Sequence, residues 1–306
     1  MDIGSYRIAV ESILEDLRVK GAATNEYAAH YTNALTPKLM LAEITTNKMR
    51  QYDGDYMNDP EEGRYLVDVM IAAAQECKHE RKSAFVERLT ELRESRLLYT
   101  AYKKASFLSC WTMVQIKPGD EHGKDSLNHW RFYGDDGRGA SLMIPLSNLL
   151  MIFPDQLFKV IYGTEMRGGG SSASQRPIQQ LKTALISRLS SLKKTPARAM
   201  VELEEVIQAT HPLLFLFKSS EYAAEREVRS ICHKASYGNA SGVSFDDRGP
   251  DKPRRAYVEG APGLICDDSL LYYGPKSDPM RAIEAMGHAA DLGIGLQVFV
   301  SSMPYR

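Results

Sequence analysis

Residues 221–232 read EYAAEREVRSIC, and within them Glu225, Glu227 and Arg229 recur at a spacing of two. In an extended strand, side chains at that spacing share one face. Two carboxylates and a guanidinium would therefore line one side of a sheet, with Val228 and Ser230 on the other. An acid pair beside an arginine keeps one carboxylate ionised, which suits it to stabilise a developing cation or to orient a sugar hydroxyl. The same triplet would also serve an exposed edge strand whose charges deter aggregation. Phe215, Phe217 and Tyr222 before it, and Ile231 and Cys232 after it, favour the wall of a cleft.

Three further stretches carry groups of use to a ligand. YDGDYMNDPEEGR, residues 52–64, sets Tyr56 and Asn58 around an Asn-Asp-Pro turn, so a ring and an amide can be presented from a rigid loop. Glu61 and Glu62 behind it read as first-turn acids of the next helix, where the helix dipole favours them. His30, Tyr31 and Thr32 lie on a short strand candidate. In NHWRFYGDDGRGASLMI, residues 128–144, Trp130, Phe132 and Tyr133 crowd a glycine-rich turn. Such rings stack on a flat nicotinamide or adenine, or anchor the base of a sheet.

The elements that must position these groups follow from periodicity. Helical spacing of Ile8, Ile13, Leu14 and Leu17 predicts a helix over 5–19 with Ser5 as its cap. A strand is expected at 27–32, then a helix opened by Thr36 and Pro37, and a strand at 48–54. Helices are expected across 61–99, 178–194, 197–210 and 279–290. Strands are expected at 104–114, in GASLMIPL after Gly139, and at 225–233, 256–259, 270–273 and 296–301. Residues 117–138 read as a loop, and RGGGSSASQRP, 167–177, reads as a flexible one. Helices gather in the first two-thirds and strands are dispersed with many antiparallel-sized connections, which predicts an α+β fold.

The 306 residues carry 38 basic and 39 acidic side chains. That balance argues against a general nucleic-acid or membrane binder, which needs surplus positive charge. Cys77, Cys110, Cys232 and Cys266 lack CxxC spacing, and no EF-hand loop, GxGxxG, GxxxxGK[ST], HExxH or GxSxG occurs. No metal is expected, and the amphipathic, acidic start does not read as a signal peptide.

Taken in order, His30-Tyr31-Thr32, Asn58-Asp59-Pro60, Trp130 with Tyr133-Gly134 and Gly139, Glu225-x-Glu227-x-Arg229, and Tyr273-Gly274-Pro275 give the chain a family resemblance. Over roughly 25–300 it resembles a bacterial domain family, first described without a function, some members of which look like ADP-ribosyltransferases. The CteC-like secreted effectors, which attach ADP-ribose to a threonine of ubiquitin, are the group it is most similar to. The resemblance implies one ADP-ribosyltransferase-like domain over 1–306. Its mixed β-sheet core would carry helical N-terminal and mid-chain elements, with a helical insertion at about 178–210. NAD would be the substrate and a protein side chain the acceptor, in a monomer exported from the bacterial cytoplasm into a host cell. By the same resemblance Glu227 stabilises the ribosyl cation, Glu225 orients or deprotonates the acceptor, and Asn58 and Tyr56 contact nicotinamide. His30, with Tyr31 and Thr32, would hold the adenosine ribose; Trp130 and Tyr133 would stack; Arg229, Arg64 and Arg131 are the candidates for the phosphates. A toxin of a bacterial defence system that consumes NAD or modifies nucleic acid, and a binding module without catalysis, fit the same residues.

Overall fold

The computed structural model describes residues 1–57, 61–95, 103–116, 127–163, 176–238, 241–247 and 249–304. The chain opens with α1, Ile3–Leu17, and its cap is Asp2, whose carboxylate accepts the Ser5 N–H at 2.8 Å. That cap moves the start ahead of Ser5 and turns Tyr6, Val10, Ile13 and Leu17 inward, leaving Ile8 exposed. Strand β1, Glu26–Thr32, runs into α2, Leu35–Met40. Ala34, not Thr36, precedes that helix, and Asn33 before it accepts the N–H groups of both Leu35 and Thr36 at its Oδ1. Strand β2, Arg50–Asp53, precedes the helical pair α3, Arg64–Glu76, and α4, Lys82–Glu94.

The long central strand is β3, Ala105–Gln115. The stretch expected to be loop after it holds α5, Leu127–Phe132, followed by β4, Ala140–Pro145, and α6, Leu146–Ile152. Two short strands, β5 at Leu157–Lys159 and β6 at Ile161–Gly163, come next. Helix α7, Arg176–Ser190, starts inside the expected flexible loop, the rest of which lies outside the described residues apart from Pro177 in the same helix. Helix α8, Pro196–Thr210, then leads to β7, Phe217–Ser219, and β8, Glu227–Lys234. The remaining elements are β9, Ser244–Phe245; β10, Ala256–Glu259; β11, Leu270–Tyr273; α9, Met280–Asp291; and β12, Gln297–Val300.

Ten of these strands form one mixed sheet in the order β12-β11-β4-β1-β3-β2-β10-β9, with β8 on β3 and β5 on β8. Within it β11 and β12 are parallel and the other pairs antiparallel, while β6 and β7 form a separate parallel pair. Side chains alternating along β3 and β8 feed two different cores. Leu108 and Ile231 join the layer of α1, α3, α4, α7 and α8, whereas Trp111 and Val228 join that of α2, α6 and α9. Each fully buried side chain of this size contributes roughly 2–3 kcal/mol of transfer free energy, so both layers hold β3 and β8 in place.

Candidate functional site

The site begins with a defect in pairing. On one edge of β3, Thr112 to Gln115 pair with β1, while Leu108 and Phe107 pair with β2. Between those pairings β1 and β2 part, and the backbone around Cys110 meets neither strand. His30 closes part of the gap by side chain: its Nδ1 lies 2.9 Å from the Cys110 carbonyl, and its ring tilts against Trp111. A cavity of about 850 Å³ occupies this opening. Ser109, Cys110, Trp111 and Thr112 all line it although they alternate faces, so it passes through the split instead of lying on one side.

A buried ion cluster forms one wall. Arg229, fully buried, gives Nε to Glu227 Oε1 at 2.8 Å and Nη2 to Glu227 Oε2 at 2.8 Å. It also grips Glu62 through both terminal nitrogens and bonds the Phe215 carbonyl at 2.7 Å. Lys218 Nζ lies 2.8 Å from Glu225, 3.3 Å from Glu227 and 3.9 Å from Glu62. Three carboxylates thus face two cations, a surplus of one negative charge in the cavity wall. Burial alone would raise the Glu227 pKa, but the charges of Arg229 and Lys218 outweigh it and hold it at about 2. The same acids, Glu227 first, outweigh burial at Lys218 and raise its pKa.

The two glutamates of the motif differ in how much bonding capacity remains. Glu227 takes two bonds from Arg229 and one each from Lys218 and the Cys110 thiol, which occupies about the four acceptor positions of a carboxylate. Its backbone N–H donates to the Tyr162 hydroxyl at 2.8 Å. Glu225 accepts one bond from Lys218 and one from the Tyr133 hydroxyl, at 2.6 Å, and keeps open lone pairs at the cavity.

Sequence spacing placed 225–233 in one strand, and here the structure differs. Strand β8 starts at Glu227, because Arg226 takes a left-handed backbone with φ of 46° and ends the 3-10 turn Ser220–Glu225. Glu225 reaches the cluster from that turn, not from the strand. Of the other expected residues, His30, Tyr31, Thr32, Tyr56 and Tyr133 line the cavity. Asn58 lies outside the described residues. Trp130 does not line it: the ring is fully buried, edge-on to Tyr31 at 5.0 Å, with Gly134 and Gly274 pressed against it. It is an anchor at the base of the sheet. Arg229 has all five N–H groups committed to Glu62, Glu227 and Phe215, which leaves no donor for a phosphate. Arg64 bonds the Ser95 carbonyl and, like Arg131, stands outside the cavity lining.

Sequence reasoning missed Lys218, Glu62 as a cluster member, and His129. Lys218 closes the apolar run 213–217, and a cation buried there requires acid partners. Glu62 precedes α3 and turns back onto Arg229 instead of joining the helix's first turn. His129 stacks on Tyr31 at 5.1 Å, takes Thr112 Oγ1 at 2.9 Å through Nε2, and leaves its buried Nδ1 without a partner. Burial lowers its pKa and that of His30, so both rings are neutral at pH 7. A neutral His30 that donates from Nδ1 to the Cys110 carbonyl keeps Nε2 as an acceptor.

No family model, curated protein or solved structure matches the chain.

Among the described residues, no helix is long and apolar enough to cross a membrane.

Proposed function

We propose that the protein is a mono-ADP-ribosyltransferase that moves ADP-ribose from NAD to a protein side chain. One observation carries this reading: a cavity wall with surplus negative charge, in which Glu227 is held ionised and Glu225 beside it keeps acceptor capacity. Breaking the bond from C1′ of the ribose to the nicotinamide nitrogen sends the electron pair to nicotinamide and leaves positive charge on the sugar. A fixed carboxylate near that carbon interacts more strongly with this transition state than with NAD itself.

Roles follow from the chemistry of each group. Glu227, saturated and ionised, supplies fixed charge and no proton transfer. Glu225 bonds a ribose hydroxyl or takes the proton of the attacking acceptor as the C1′–O bond forms. Tyr133 orients Glu225, and Nε2 of His30 accepts from a hydroxyl of the bound nucleoside. Tyr56 stands at the rim as an aromatic surface for nicotinamide. The resemblance makes a threonine of ubiquitin the first acceptor to try.

The test is incubation with NAD labelled on the adenylate in a eukaryotic cell extract, beside Glu225→Gln and Glu227→Gln. A discrete labelled protein, lost in both variants, is the expected result. Nicotinamide release with no labelled protein would assign NAD hydrolysis instead, and the absence of both would remove the enzymatic reading.

A further inference from the structure

The charge lining the cavity is divided between two ends. Opposite the acid cluster, the wall is built by β2 and β10, whose register sets Tyr52 across from Tyr257 and Arg50 across from Glu259. Arg255 lies over the Tyr52 ring at 4.3 Å, and Arg50 lies over the Tyr257 ring at 4.3 Å. Each guanidinium thus rests against an aromatic face, a contact that uses none of its N–H donors. Lys48 lines the cavity beside them.

The two arginines carry fewer partners than Arg229: among the described residues Arg50 bonds the Tyr52 side chain and no carboxylate, and Arg255 bonds none. The nearest carboxylate to Arg50 is Glu259 at 3.8 Å, and the nearest to Arg255 is Asp246 at 3.7 Å, both beyond hydrogen-bond length. Glu259 is closer to Lys48, at 3.2 Å. Among the described residues the Arg255 side chain makes no hydrogen bond, and its buried Nε lacks an acceptor. Three cations against Glu259 and Asp246 leave a surplus of one positive charge at this end. The strand order β8-β3-β2 separates the two ends by two inter-strand spacings, about 10 Å. A ribose and its 5′ carbon bridge such a gap between a carboxylate at the anomeric carbon and a guanidinium at the phosphate.

We propose that Lys48, Arg50 and Arg255 form a diphosphate seat, and that it orients a dinucleotide with its nicotinamide ribose toward Glu225 and Glu227. The dinucleotide part rests on the function proposed above; the anion seat does not. It also replaces Arg229, Arg64 and Arg131 as the phosphate-binding set.

Calorimetric titration of the full chain tests this with inorganic pyrophosphate, ADP-ribose and nicotinamide riboside, using wild type, Arg50→Gln, Arg255→Gln and Glu225→Gln. Pyrophosphate and ADP-ribose affinities are expected to fall at least about tenfold in each arginine variant, the equivalent of one charged contact. Nicotinamide riboside, which lacks phosphate, is expected to bind both arginine variants as it binds wild type and to weaken in Glu225→Gln. ADP-ribose bound equally by wild type and both arginine variants would overturn the seat and leave the transferase reading standing. Pyrophosphate binding that the variants lose, with no binding of ADP-ribose, would keep the seat and overturn the dinucleotide. Wild type that binds none of these ligands would overturn both. Thermal midpoints of the arginine variants close to wild type are the control, and circular dichroism identifies any that misfold; Arg50→Lys then keeps the charge without the fork and should lose part of the affinity.

Discussion

Glu227 and Arg229 meet side by side on strand β8, carboxylate to guanidinium, through two bonds of 2.8 Å with both side chains buried. Arg229 gains a second carboxylate from Glu62, so the strand carries a charge cluster where an apolar core would otherwise continue. Truncating one partner of such a buried pair leaves an uncompensated charge, at a cost of about 3–5 kcal/mol.

Arg229→Lys should therefore be severely destabilising. Lysine offers three donors from a point charge where five are used in a planar fork. A drop of about 3 kcal/mol or more in unfolding free energy, read from urea denaturation, is expected; a change under about 1 kcal/mol would contradict the cluster's geometry.

Glu225→Gln and Glu227→Gln should part company. Both are expected to lose transfer by about a hundredfold or more. Only Glu227→Gln should also unfold at markedly lower temperature, because it removes the partner of a buried guanidinium. Scanning calorimetry on the two variants checks this, and equal midpoints would contradict it.

Tyr133 is 45% exposed, and its hydroxyl bonds Glu225. Tyr133→Phe should lower transfer by about tenfold, the value of one hydrogen bond to a charged group, while moving the thermal midpoint by no more than about 2 °C. Unchanged kcat/KM would remove Tyr133 from the orientation of Glu225.

Acid should destabilise the fold from below neutrality. Burial, with His233 and Lys104 nearby, lowers the His211 pKa from 6.5 to about 3. The unfolded chain then binds a proton that the folded chain refuses, so the stability is complete above pH 6.5 and is lost as pH falls toward 3. At pH 5 the loss from this group is about 2 kcal/mol. Glu227, lowered from 4.5 to about 2, adds a second loss as pH falls from 4.5 toward 2. Thermal midpoints from pH 8 to 4 should decline, and His211→Gln should reduce, without abolishing, the part between pH 6.5 and 5, to which His233, lowered by burial to about 4, also contributes.

Much of this arrangement was legible in the residues. Period-two patterning located β10 and β11 at their observed bounds, and it placed the acid pair and arginine together. Gly139 reads in the sequence only as part of a turn; the structure adds that a Cβ there would sit 2.2 Å from the Thr32 carbonyl, at the end of the strand that carries His30. The three-residue strands β5, β6 and β7 were too short to show a period. The left-handed turn at Arg226 gave no signal, since it is neither glycine nor asparagine. Glu62 and Lys218 were hidden for another reason: their partners lie 167 and 9 residues away, and such pairing is a property of packing.

If the acid wall promotes cleavage of the nicotinamide bond, the purified protein with extract releases nicotinamide from NAD. Steady release by wild type is expected, with a fall of about a hundredfold or more in Glu225→Gln of unchanged thermal midpoint. Release at the wild-type rate from that variant, or none from the wild type, would contradict it.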